Sequence, residues 1–129
     1  MARGVASVLA GLAAWIVVAT AANLLLRFAW PGYAGAEISM MFTLGMLVAR
    51  LATGAIASVA AGFSAAWIAR ASGTPVKVLA GLLLLMFIPV HYGLWDKFPI
   101  WYHLTFLASL IPFTLLGAAF KAKTARSTS

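Results

Sequence analysis

The stretch ISMMFTLGMLVARLATGAIASVAAGFSAAWI, residues 38–68, decides the fold. It carries one charge, Arg50, in 31 residues, and it shows no alternation of apolar and polar positions. Apolar sequence this long, rich in Ala and Leu, reads as a helix in lipid rather than a strand of a barrel. As one helix it would extend about 46 Å at 1.5 Å per residue, more than the ~30 Å hydrocarbon core. It is therefore expected to tilt, or to push its first residues into the headgroup region. If the core begins near Met46, Arg50 reaches the near headgroups by snorkelling; if it begins near Ile38, Arg50 lies close to mid-membrane.

Three more apolar stretches flank it: Val5–Leu26, Val78–Trp95 and Ile100–Phe120. Of the 129 residues, 64% are hydrophobic and 9% charged, with a mean hydropathy of +1.04, which excludes an ordinary water-soluble domain. The fold predicted is all-α: an integral membrane four-helix bundle, up-down-up-down, forming one domain over residues 1–129. Cysteine is absent, so no disulfide, thiolate nucleophile or Cys-ligated metal is available.

The net charge of +7 would suggest nucleic acid in a soluble chain, but its distribution points to topology instead. Arg3, Arg70, Lys77, Lys121, Lys123 and Arg126, six of the nine basic residues, fall on one side of the predicted spans. The positive-inside rule puts both termini in the cytoplasm of a bacterial-type inner membrane. Aromatic residues fringe the opposite loops: Phe28, Trp30 and Tyr33 in one, Tyr92, Trp95, Phe98, Trp101 and Tyr102 in the other. Such rings favour the headgroup level. Ala19-Thr20-Ala21 resembles a signal-peptide cleavage site, but the apolar run continues to Leu26 and favours a retained helix.

Turns are marked by Trp30-Pro31-Gly32 and Ala71-Ser72-Gly73-Thr74-Pro75, while Pro89 and Pro112 are expected to kink their helices. Residues Lys121–Ser129 are polar and are expected to fray.

Packing is legible in the second span. Gly54, Ser58, Gly62 and Ala66 recur every fourth residue and form a small-residue stripe beside Ala57, Ala61, Ala65 and Ala69. Small residues let helices approach closely where lipid offers no hydrophobic drive for association. The stripe serves either the protein's own bundle or a second copy or membrane partner.

The candidate polar site comprises Asn23, Arg27, Arg50, His91, Asp96 and His103, which all approach one end of the spans. His91 and His103 stand six residues either side of Lys97, so a hairpin turning there sets them at similar depth. They would hold a metal, haem or quinone only if turned inward; otherwise they anchor the interface. Asp96 is the expected partner of Arg50, because Glu37 lies ~20 Å away along a continuous helix. No phosphate loop, His-Glu-x-x-His or nucleophile-elbow motif occurs, so no enzyme activity and no cofactor are predicted. The favoured expectation is an accessory, assembly or stabilising subunit, or a homo-oligomer. A small transporter with a polar vestibule for an anionic or polar solute comes next, and a haem- or quinone-binding redox protein last.

Overall fold

The computed structural model describes residues 2–39, 41–69 and 73–128, except for the side chains of Glu37 and residues 124–128. Among them are five helices: α1 (Ala2–Ala29), α2 (Tyr33–Ser39), α3 (Leu44–Ala69), α4 (Thr74–Gly93) and α5 (Ile100–Thr128). All but α2 are long and apolar enough to cross a membrane. Large apolar side chains stand exposed along them, among them Val17, Ile56, Leu85 and Leu104, as a lipid-facing surface requires.

The 38–68 stretch is not one helix. Ile38 belongs to α2, residues 41–43 are non-helical, and α3 starts at Leu44. Thr43 Oγ1 accepts from the Met46 N–H at 3.2 Å, an N-cap that satisfies one of the free donors of the first turn. The excess length is absorbed by this break rather than by tilt alone. At its other end the expected turn at Ala71-Ser72 lies outside the described residues, and α4 opens with Thr74 and Pro75. The frayed tail is also corrected. The helical backbone of α5 runs to Thr128, with Pro112 inside it, since Lys121-Ala122-Lys123 are good helix formers and cations suit a helix C-terminus.

Between α1 and α2 the chain turns sharply. The Tyr33 N–H donates to the Trp30 carbonyl at 3.1 Å, and Gly32 has φ 87°. Pro31 followed by a positive-φ glycine is the signature of a type II turn. It folds Tyr33 back against Ala36 and Met46, where the ring is fully buried.

The small-residue stripe of α3 is consumed inside the bundle. On α5, Tyr102, Phe106, Leu110 and Thr114 are buried at every fourth position. A Cβ on Gly54 would come within 2.7 Å of the Phe106 ring, and one on Gly62 would collide with the Thr114 carbonyl. Reciprocally, one on Gly117 would collide with the Val59 carbonyl. Backbone therefore lies on backbone where α3 meets α5. The neighbouring row of α3 receives α1: Ser7 Oγ donates to the Ala65 carbonyl at 2.6 Å, and Gly11 lies against Leu79 and the Ala61 carbonyl. Trp15 Nε1 donates to Ser58 Oγ at 3.1 Å. Ala66 packs against the cluster of Ala61, Ala65, Val76, Leu79 and Leu83, which fills this half of the bundle. The observation that favoured an external partner for the stripe is thus accounted for by α1 and α5.

Candidate functional site

The turn after α4 is a short hairpin. The Leu94 N–H returns to the carbonyls of Val90 and His91, and the Lys97 N–H to that of Leu94 at 2.9 Å. Pro99 then opens α5, its carbonyl accepting from Tyr102 and His103. The hairpin sets the two histidines face to edge, with Nδ1 of His91 2.7 Å from Nδ1 of His103. His103 is held further by its Nε2, 3.3 Å from the Trp95 carbonyl, and by the Trp95 indole stacked on it at 4.8 Å.

These contacts assign the ring protons. A carbonyl only accepts, so His103 Nε2 carries a hydrogen, and in the neutral ring Nδ1 is then an acceptor. His91 Nδ1–H donates to it, which leaves a lone pair on His91 Nε2. His91 is 5% exposed, and no buried polar atom among the described residues lacks a partner. No hydrogen bond to this Nε2 is found among the described residues, and His91 is one of the residues that line the adjoining cavity. Two imidazoles on a tetrahedral metal, each ~2.05 Å from it, would place their nitrogens about 3.3 Å apart. The 2.7 Å separation is that of a shared proton, and the described residues contain no cluster of three or more His, Cys, Asp or Glu ligands.

That cavity measures about 210 Å³ and lies among α1, α3, α4 and the start of α5. Arg50, Tyr102, His91, Asn23, Thr20 and Thr53 supply its polar lining; Trp15, Phe87, Phe98 and Phe106 supply aromatic walls. Trp15 and Phe87, with ring centroids 4.7 Å apart, also belong to the shell of the Ala61–Leu83 cluster, and so form the floor. Beyond them toward Gly73 lies the buried apolar cluster of Ala61, Ala65, Val76, Leu79 and Leu83.

Arg50, the seventh residue of α3, sits about 9 Å along the helix from its start. Its Nε donates to the Tyr102 hydroxyl at 3.3 Å and a terminal nitrogen donates to the Tyr33 hydroxyl at 3.1 Å. The Tyr33 hydroxyl in turn donates to Asn23 Oδ1 at 3.1 Å, and the guanidinium lies 4.7 Å from the centre of the Phe42 ring. Phe42 stacks on Phe98, and Phe98 on Tyr102, so the fork is braced by three rings. With two of its N–H groups engaged, the guanidinium keeps three donors in hand. The Tyr102 hydroxyl accepts from Arg50 and has its own hydrogen to give.

The structure brings Asn23, Arg50, His91 and His103 to one end of the bundle. It does not bring Asp96, which is exposed in the turn and outside the cavity lining; two phenols stand where this carboxylate was expected. Arg27 is exposed at the end of α1, also away from the cavity. Nor does Arg50 simply snorkel, since its guanidinium is taken by protein groups. Tyr33 and Tyr102, read from sequence as headgroup aromatics, are 0% and 3% exposed and carry the arginine. The four-residue period of Tyr102, Phe106, Leu110 and Thr114 was the available sign that Tyr102 faces inward. Phe28 and Tyr92, by contrast, are largely exposed. Comparison with family models, curated proteins and solved structures returned no match.

Proposed function

We propose that this integral membrane protein binds a small ligand through an acidic or anionic head group, held by Arg50 in the cavity beside His91. Arg50 carries the proposal. An arginine at the centre of a membrane helix costs roughly 2.5–3.5 kcal/mol on insertion scales, and charges within spans are commonly paired. Among the described residues Arg50 is bonded only to neutral oxygens and an aromatic face, with three donors still available. An anionic head group offers an opposite charge and accepts those donors in charge-assisted bonds. We further propose an up-down-up-down order of the spans with both termini cytoplasmic, which sets the cavity in the outer half of the membrane.

Binding, rather than conduction or catalysis, is the activity this arrangement suits. Beneath Trp15 and Phe87 lies the buried apolar Ala61–Leu83 cluster, which favours a closed site over a through-path. The engagement of the α3 stripe by α1 and α5 removes the particular reason for assigning an assembly role. The test is benzoate binding to the purified protein in uncharged detergent, followed by calorimetry. Wild type is expected to bind, and Arg50→Gln to lose at least tenfold in affinity while keeping its thermal midpoint. Equal affinities, or no binding by wild type, would overturn the reading.

A further inference from the structure

Resting on that reading, we infer that the ligand is a long-chain carboxylic acid that enters sideways from lipid between α1 and α4, its tail remaining in the bilayer. The first observation is where the two helices touch. Gly11 lies against Leu79 and Trp15 against Phe87, while a separate, apolar groove opens between the two helices at their Gly4–Pro75 end. Past Trp15 and Phe87, toward Tyr33, the cavity itself stands between them, lined by Ala19, Thr20 and Asn23 of α1 and by Val90 of α4. Thr20 is exposed and Val90 is 47% exposed although both line the cavity, so the mouth lies on the flank of two membrane-spanning helices. A ligand using that mouth comes from lipid.

The second observation is the layout of the lining. Arg50 and Tyr102, which offer hydrogen-bond donors, line the same cavity as His91, whose Nε2 carries a lone pair in the tautomer assigned above. A carboxyl group arriving neutral from the bilayer matches both: its carbonyl oxygen accepts from Arg50 and Tyr102, and its O–H donates to His91 Nε2. If that proton crosses, it moves from the carboxyl oxygen to Nε2, and the carboxylate left behind faces Arg50 and an imidazolium. No other reactant is needed.

Size is the third. Pockets that enclose a drug-sized molecule run ~300–1,000 Å³. A cavity of about 210 Å³ takes the head group and the first carbons against Trp15, Phe87 and Phe106, and leaves a longer chain outside, among lipid tails.

The experiment compares dodecanoate, dodecanol, benzoate and a lysophosphatidate of the same chain length, binding to wild type, Arg50→Gln and Val90→Trp in zwitterionic nanodiscs. Dodecanoate is expected to bind at least tenfold more tightly than dodecanol, benzoate or the lysophosphatidate, and to lose at least tenfold in either variant. Spin-labelled stearates provide a measurement independent of the variants' folding: the 5-doxyl label should be immobilised by the wild-type protein and the 16-doxyl label should remain as mobile as lipid. Benzoate bound as tightly as dodecanoate, with Val90→Trp silent, would leave the anion site standing and overturn entry from lipid. Dodecanol matching dodecanoate, or the lysophosphatidate exceeding it, would overturn the carboxyl head group. Immobilisation of both labels would overturn the exposed tail. Failure of every carboxylate on wild type would overturn this inference and the parent reading together.

Discussion

Nδ1 of His91 and Nδ1 of His103 share one hydrogen across 2.7 Å, joining the last turn of α4 to the first turn of α5. The consequence reaches past the pair. Because the Trp95 carbonyl takes the His103 Nε2 hydrogen, the shared one belongs to His91, and the His91 Nε2 keeps its lone pair. In ¹⁵N spectra of histidine-labelled protein without ligand, His91 is expected to show a protonated Nδ1 and an unprotonated Nε2, and His103 the reverse. Matching tautomers in the two rings would refute the assignment.

Gly62 and Gly81 make a controlled pair. A Cβ on Gly62 meets the Thr114 backbone, which cannot rotate away, whereas one on Gly81 meets nothing within 4 Å. Gly62→Ala is expected to destabilise the bundle by about 1–3 kcal/mol, the usual cost of overpacking. Gly81→Ala should be neutral or stabilising by up to ~1 kcal/mol, since alanine loses less backbone entropy in a helix. Reversible unfolding in mixed micelles measures both. An unchanged Gly62→Ala protein that instead loses a dimer band would return the stripe to an external partner.

Ser58 links α1 to α3 by accepting from Trp15 Nε1 while it donates to the Gly54 carbonyl. Interhelical hydrogen bonds in membranes average about 0.6 kcal/mol, and the largest reach ~1.7. Ser58→Ala is expected to cost within that range. It should also blue-shift the Trp15 emission in a protein whose other four tryptophans are replaced by phenylalanine, because the indole N–H loses its acceptor. A red shift would mean that Trp15 has left the cavity floor.

Tyr102→Phe removes the acceptor for Arg50 Nε and a donor from the cavity, but keeps the ring stacked on Phe98. Benzoate affinity is expected to fall three- to tenfold, less than for Arg50→Gln, with little change in thermal midpoint. A collapse of stability without loss of affinity would make the Arg50–Tyr102 bond purely structural.

The absence of cysteine makes single-cysteine topology mapping straightforward. Gly35 and Lys97 are exposed on one side of the proposed order of spans, and Thr74 and Lys123 on the other. Tyr33, at the start of α2, is fully buried and would report falsely. Cysteines at 35 and 97 should label from outside intact cells and those at 74 and 123 only after permeabilisation. Outside labelling at 74 would reverse the proposed orientation.

Composition and run length determined much by themselves. Four apolar segments in a chain with this few charges leave helices in lipid as the available structure, because unpaired backbone groups are too costly in hydrocarbon. The four-residue recurrence of Gly54, Ser58, Gly62 and Ala66 marked the close-packed face of α3, a local property of helical geometry. What faced it was not local. That Phe106 and Thr114, rather than another protein, fill the stripe depends on how α5 docks, and the same small residues would serve either partner. The break at residues 41–43 was concealed because Met41 and Phe42 are as apolar as the helix they interrupt. Arg50 stood out in the sequence, yet its partners did not. Charge pairing favoured Asp96, but a type II turn at Pro31-Gly32 and the opening of α5 at Pro99 carry two phenols to the guanidinium, from 17 and 52 positions away. Pattern along a chain reports which face of a helix is small, polar or apolar. Which faces meet is decided by packing among all the helices at once.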